Sequence, residues 1–170
     1  MNQLPPNLEP PSNVSSLNSQ NLPDSFRPGE KAENKDGEKF VVFFLDDELF
    51  AIGAREVLEI VRPLEHTPLP SAPEWLYGIA NLRGEIISVL NLSKICNKKP
   101  SPATPKSKLI VLKPKNFGSS MAFPVDRLSE IITLSINDIH PSDDDRFMTA
   151  AHETATVRLL DTERLVSSLF

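Results

Sequence analysis

The run Phe40-Val41-Val42-Phe43-Phe44-Leu45 is followed by Asp46-Asp47-Glu48 and then by Leu49-Phe50-Ala51-Ile52-Gly53. Six consecutive aromatic, β-branched or aliphatic residues form a run of strand length, and the absence of polar alternation suits a strand covered on both faces. The acidic triplet supplies a polar turn and the second run returns. The spacing therefore predicts a β-hairpin closed by a three-residue loop.

Working outward from the hairpin, Ala54 to Val61 suits either one helical turn or a strand, and Pro63 ends whichever forms. Val57 and Leu58 cannot both point inward on a strand, so one of them faces a neighbouring element or a partner. Ser71-Ala72-Pro73-Glu74 has capping-box spacing with proline in the first turn, which predicts a short helix from Ala72 that Gly78 stops. Ile79–Leu82 and Glu85–Leu90 read as strands joined around Arg83-Gly84, and Asn91 caps a brief helix through Cys96. Lys98 to Lys108 holds three prolines and four lysines and is a loop. Strand signals resume at Leu109–Leu112, Met121–Val125 and Glu130–Leu134, with a turn at Asn116-Phe117-Gly118. Ser135 and Asp138 bracket a helical turn, His140–Arg146 is a polar loop, Val157–Leu160 a strand, and Asp161 caps a terminal helix. Many short strands between turn signals predict a mainly β fold of small barrels or a sandwich, with short helices.

In the other direction, residues 1–38 hold six of the 16 prolines, many Asn and Ser, and one aromatic, Phe26. That composition buries too little apolar surface to offset chain entropy, so a disordered tail is expected before one ordered domain over 39–170. Met1-Asn2-Gln3-Leu4-Pro5-Pro6 has neither a basic start nor an apolar stretch and is no signal peptide. No apolar run approaches the ~18 residues of a spanning helix. With a single cysteine, Cys96, no intrachain disulfide or thiol metal cluster can form, and a cytoplasmic location is expected, with no direct membrane insertion.

Catalytic chemistry finds no foothold. The six glycines, at 29, 37, 53, 78, 84 and 118, write neither a dinucleotide fingerprint nor a P-loop. No serine sits in a Gly-x-Ser-x-Gly elbow, and His66, His140 and His152 lack ligand spacing to one another or to Cys96. Asp143-Asp144-Asp145 lacks the alternating ligands and central glycine of a calcium loop. The net charge of −5 disfavours nucleic acid, and although residues 86–125 carry seven lysines and no acid, several of them lie in the Pro-rich loop, where no aromatic is interleaved to stack bases. No catalytic residue, metal or cofactor is expected, and no nucleic-acid partner.

Gly78-Ile79-Ala80-Asn81-Leu82-Arg83-Gly84-Glu85-Ile86-Ile87-Ser88-Val89-Leu90-Asn91-Leu92 closely resembles the central signature of the CheW-like family, Gly-x-x-Asn-x-Arg-Gly, apolar residues, then Pro-Val-x-Asp-Leu. Phe43 to Ile52 resembles the family's opening hairpin, Val57-Leu58-Glu59-Ile60 its Val-x-Glu-Ile, and Leu69-Pro70 through Leu76 its approach to the signature. Val125-Asp126 through Ile132, Ile139-His140-Pro141, and Leu160 to Leu165 resemble its second half, so the likeness spans about residues 39–168. The resemblance implies two small five-stranded SH3-like barrels sharing a core, with a C-terminal helix. It implies a non-enzymatic adaptor joining the cytoplasmic tips of methyl-accepting chemoreceptors to the regulatory domain of a CheA-type histidine kinase. On that likeness Arg83 and Glu59 are receptor-binding, Val57 and Leu58 lie on the kinase-binding surface, and Gly78, Asn81 and Gly84 are structural. An adaptor for phototaxis or type IV pilus motility, and a competitive regulator binding only the kinase, are the alternatives.

The chain departs from the family pattern in ways that carry expectations. Asn91 replaces Asp and caps a helix as well; Ser88 replaces Pro, which a strand tolerates. The segment Thr149 to Ala155 lacks the expected glycines and is about two residues short, so the second barrel's closing hairpin should differ. Pro124 in a strand predicts an edge strand there. For Arg83 the alternative to a partner contact is an ion pair with Glu59 or Glu85.

Deletion of residues 1–37 should leave the thermal midpoint within about 4 °C, equivalent to roughly 1 kcal/mol for a domain of this size. A larger drop in a calorimetric comparison would show that the segment is docked.

Overall fold

The structure, a computed structural model, describes residues 37–114 and 118–169; the expected disordered tail, apart from Gly37 and Glu38, and the turn at Asn116-Phe117 lie outside them. Eleven strands and two short helices are formed. In chain order they are β1 (Glu38–Leu45), β2 (Glu48–Gly53), β3 (Val57–Val61), β4 (Leu76–Leu82), β5 (Glu85–Leu90), α1 (Leu92–Ile95), β6 (Lys108–Leu112), β7 (Met121–Val125), β8 (Arg127–Leu134), β9 (Ile139–Pro141), β10 (Phe147–His152), β11 (Ala155–Leu160) and α2 (Thr162–Ser167). Sheet I has the order β8-β1-β2-β11-β10-β9, and sheet II the order β3-β6-β7-β5-β4. The mainly β architecture is as expected. Sheet II has the expected five strands, and sheet I gains a sixth, the three-residue β9.

The two sheets repeat one plan. In sheet II, β3 pairs antiparallel with β6, β6 with β7, β7 runs parallel to β5, and β5 returns to β4. In sheet I, β8, β1, β2, β11 and β10 do the same in that order. The match extends to register. Val111 pairs with Ala122 as Val42 pairs with Ala51, and Val89 meets Ala122 as Leu159 meets Ala51. Each plan ends in a capped helix: Asn91 Oδ1 accepts from Lys94 N at 3.0 Å, and Asp161 Oδ1 from Glu163 N and Arg164 N at 3.1 Å.

Strand periodicity explains why the central strands lack polar alternation. On β1, Phe40 and Val42 face a cluster inside sheet I with Ala51, Val157 and Leu159, while Val41, Phe43 and Leu45 face the other way. On β6, Leu109 and Val111 line a cluster inside sheet II, while Ile110 and Leu112 point out of it. The outward sets meet in a third cluster between the sheets, joined by Leu92, Ile95, Leu165 and Val166 of the helices. Phe43 sits 6.1 Å from Phe50 and 5.8 Å from Phe123, and Phe50 sits 6.0 Å from Phe147, so aromatic rings from both sheets touch. Each such ring contributes on the order of 1.5–3 kcal/mol by burial alone.

Several local expectations are corrected. Glu48 belongs to β2, so the first hairpin turns on two residues, Asp46 and Asp47, at φ 50° and 61°. Positive φ at both positions matches the twist of the flanking strands, and short acidic side chains tolerate it better than most. Ala54–Val61 is both things in succession, a 3-10 turn at Ala54–Glu56 and then β3. The helix from Ala72 does not form. Ser71 takes φ 59°, and the segment makes only single turns, Ala72 N to Leu69 O at 3.2 Å and Leu76 N to Pro73 O at 2.9 Å. Pro124 lies on an interior strand, β7, and not on an edge. The pairing with β5 covers only Met121 and Ala122, so the missing N–H falls beyond its end. Part of the polar loop His140–Arg146 enters β9, whose Thr149 and Met148 partners lie on β10. The β10–β11 hairpin closes without glycine because Glu153 adopts φ 52°.

The lysine-bearing loop after α1 is held down by acids. Lys98 pairs with Glu48, Lys99 N donates to Asp46 Oδ2 at 3.1 Å, and Ser101 Oγ to Asp126 Oδ2 at 3.1 Å.

Gly78 does not stop a helix; it lies inside β4 at φ 142°, where Thr67 crosses it through Thr67 N–Ile79 O and Ile79 N–Thr67 O bonds of 2.8 and 3.0 Å. A Cβ there would sit 2.1 Å from the Thr67 carbonyl oxygen, whereas at Gly84, φ 94°, it would meet nothing within 4 Å. Gly84→Ala should therefore cost about 1–2 kcal/mol, the backbone strain alone. Gly78→Ala should lose at least twice that or fail to fold, read from denaturant midpoints of the two variants.

Candidate functional site

Sheet II curls until its two edges come within side-chain reach. Glu59 on edge strand β3 and Arg83, in the turn after the opposite edge strand β4, form an ion pair, Nη2 to Oε2, at 2.8 Å. The local sequence prepares both partners. On β3 the register slips between Val57 and Glu59 opposite β6, so Leu58 is an extra residue in the ladder. Such a bulge re-aims side chains. Here Val57 packs half-buried against the shared core, Leu58 is 47% exposed, and Glu59 turns towards the rim. Only Leu58 of the expected apolar pair therefore stands at the surface.

Arg83 occupies the first position of the two-residue turn at φ 55°, followed by Gly84 at φ 94°. A non-glycine residue there costs about 1–2 kcal/mol. Asn81 offsets part of it, its Oδ1 accepting from Gly84 N at 2.8 Å. The guanidinium is 76% exposed and uses one nitrogen on Glu59, which leaves its remaining N–H groups facing outward. Arg83 is thus paired with Glu59, as in the ion-pair reading, and its side chain is also presented to solvent. The alternative ion-pair partner, Glu85, makes no recorded bridge among the described residues.

Two apolar residues escaped the sequence reading. Ile86 on β5 is 58% exposed beside this turn, and Ile131 on β8 is 65% exposed on the edge of sheet I. Each belongs to an Ile-Ile pair, Ile86-Ile87 and Ile131-Ile132, whose second member is buried. Period-two alternation signals that one of each pair faces out, but not which one.

Reactive chemistry is not assembled anywhere among the described residues. Burial pushes the Cys96 thiol up to about 12, against the opposing pull of Arg146 and Arg158, so it is no nucleophile at neutral pH. No group of three His, Cys, Asp or Glu among the described residues could hold a metal ion. Within Asp143-Asp144-Asp145, Asp144 is committed to Arg146 through bonds of 2.6 and 2.9 Å, and those bonds hold its carboxyl below the usual range. Arg146 in turn donates to the Ile95 carbonyl at the end of α1, at 2.9 Å. No described helix is long and apolar enough to cross a membrane.

This arrangement is that of a binding domain built from two curled sheets, and comparison with known proteins identifies the class. A protein-family model, the CheW-like domain, matches residues 39–170, and the chain belongs to that family. Among curated proteins it is similar to the chemotaxis protein CheW of Helicobacter pylori, 31% identical over 114 residues, covering 66% of this chain and 68% of that one. The chemotaxis protein CheW of Rhizobium meliloti is 31% identical over 108 residues, with 64% and 68% covered. The crystal structure of the scaffolding protein TtCheW from Thermoanaerobacter tengcongensis matches with a TM-score of 0.69 at 29% identity, covering 76% of this chain and 92% of that one.

The exposed pair predicts a small energetic role. Arg83→Ala should change unfolding free energy by less than about 1 kcal/mol, as for surface ion pairs generally. Asn81→Ala should cost about 1 kcal/mol, since it frees a turn N–H that the strained backbone relies on. Urea titrations of both variants decide the ranking.

Proposed function

We propose that this protein is a cytoplasmic, non-enzymatic adaptor that couples the tips of chemoreceptors to the regulatory domain of a CheA-type histidine kinase. The observation that carries the reading is the presentation of Arg83 on a strained hairpin turn, paired through one nitrogen to Glu59. Family membership and the likeness to a scaffolding protein support it.

In this reading Arg83 and Glu59 bind the receptor. A guanidinium with free N–H groups offers a planar fork to carboxylates or carbonyls at a helical tip. Leu58, lifted out of β3 by its bulge with Val57 packed beneath, contacts the kinase. A bulged edge strand cannot easily pair with a foreign strand, so the contact is made by the side chain and not by strand addition. Two modest surfaces suit a component that must assemble reversibly, and interfaces at or below about 1,200 Å² have that character. The signal then passes as changed geometry or population, with no chemistry on this chain. The same surfaces would serve a phototaxis or type IV pilus array, and a competitor that binds only the kinase would show no receptor binding in the partner titrations below.

Arg83→Ala should weaken binding to a receptor-tip fragment by roughly 1–3 kcal/mol, a typical hot-spot loss, and leave kinase-domain affinity within about threefold. Leu58→Asp should show the reverse selectivity. Calorimetric titration of each variant against each partner checks both. A parallel fall in both affinities at unchanged stability would merge the two surfaces and end the two-surface reading.

A further inference from the structure

The repeated plan of the two sheets extends to their rims. In sheet II a carboxylate on the edge strand, Glu59, reaches across to the far hairpin at Arg83. In sheet I the corresponding edge strand, β8, sends Glu130 to His152 at the end of β10, Oε1 to Nε2, at 3.2 Å. The cation is permanent in one rim and titratable in the other, since histidine is the side chain whose charge ordinarily changes between pH 5 and 8.

Little else holds the hairpin tip sideways. Ala151, Glu153, Thr154, Ala155 and Thr156 are exposed, and pairing of β10 with β9 stops at Ala150. The turn places Glu153 at φ 52° without a glycine to relieve it. A segment with few buried contacts and a strained turn lies at the low-stability end of a fold. The charged groups around His152 are few. Glu130 faces it from β8, and Glu153 adjoins it in the turn. His140 on β9 lies beside Thr149, which donates to its carbonyl at 3.4 Å. Arg158 on β11 is directed to Glu48 at 3.7 Å, and Lys39 on β1 lies opposite Thr133.

We propose that Glu130–His152 is a proton-dependent latch between the β10–β11 hairpin tip and the edge strand β8. With the imidazole protonated, a charge-assisted bond holds the tip against β8. As pH rises and the proton leaves, the ion pair is lost, only a bond from the neutral ring's N–H to the carboxylate can remain, and the tip loosens. Because Ile131 follows Glu130 on the same strand, release of the tip alters the setting of the exposed apolar edge of sheet I. The sign is set by which form of the ring the carboxylate favours: holding is strongest on the acid side of the imidazole titration and weakest on the alkaline side.

Hydrogen exchange on the full-length protein tests this, with amide protection corrected for the intrinsic pH dependence of exchange. In the wild type, amides of residues 152–156 should be two- to fivefold better protected at pH 6 than at pH 8. His152→Arg, which imitates the other rim, should hold the tip equally at both pH values. Glu130→Gln should leave it loose at both, and His140→Gln should keep the wild-type response. The latch is refuted if Glu130→Gln retains the pH response, if His140→Gln abolishes it, or if His152→Arg is no better protected than the wild type at pH 8.

Discussion

The layer of side chains shared by the two sheets is the constraint on which everything else rests. Val41, Phe43 and Phe50 from sheet I and Ile110, Leu112 and Phe123 from sheet II fill one space, so neither sheet has a complete core without the other. The strands that contribute to it are buried on both faces, and no polar residue can be accepted at their centres without leaving an unsatisfied group in the interior. The two short helices follow from the same demand. Each is capped where its strand ends, and each adds apolar side chains to the seam.

A domain that spends its strand centres on a shared core has only edges, turns and loops left for recognition. Sheet II places its most conspicuous surface features there: the bulge that lifts Leu58 and the strained turn that carries Arg83, with exposed Ile86 on the strand that leaves that turn. In a family of adaptors this division is useful, because partners are met by rims whose chemistry can change while the layered interior stays fixed. The rims of this chain differ in that way, arginine on one and histidine on the other.

Much of the fold was legible in the residues and some was not, for identifiable reasons. The double-sided strands β1 and β6, the turn at Arg83-Gly84, and the caps Asn91, Ser135 and Asp161 announced themselves through local chemistry, and they formed as expected. The errors concern places where distant chain decides. Ser71-Ala72-Pro73-Glu74 has the pattern of a helix start, but the neighbouring Thr67 is bonded to β4 and the segment is held open as turns. Pro124 suggested an edge, yet an interior strand accepts it where its neighbour has already ended. The strands β9 and β10 carry weak signals, His140, Thr149 and His152 among them, and are defined by their partners. At the site, the residues allowed Arg83 to pair with Glu59 or Glu85, while the choice of Glu59 depended on the curl of a sheet, which residue spacing does not encode. The lysines after α1 mislead in the same way: Lys98 is paired in space with Glu48, and the loop backbone and Ser101 are bonded to Asp46 and Asp126.

The nesting of one sheet inside the other has a consequence for how the chain comes to its structure. Sheet II is contiguous, β3 through β7, whereas sheet I is opened by β1 and β2 and completed only by β8 through β11. During synthesis the first hairpin emerges early, with its apolar faces uncovered, and waits through the whole of sheet II for its β8 and β11 neighbours. Non-local pairing of this kind slows folding, because the loop must close before any contact rewards it. The ribosome thus exposes an unusually sticky hairpin for the time needed to make roughly 80 further residues to complete β8 and over 100 to complete β11, several seconds at ordinary elongation rates. The short charged turn Asp46-Asp47, with Glu48 opening the next strand, sits at the tip of that waiting hairpin, where like charge discourages two nascent chains from pairing end to end.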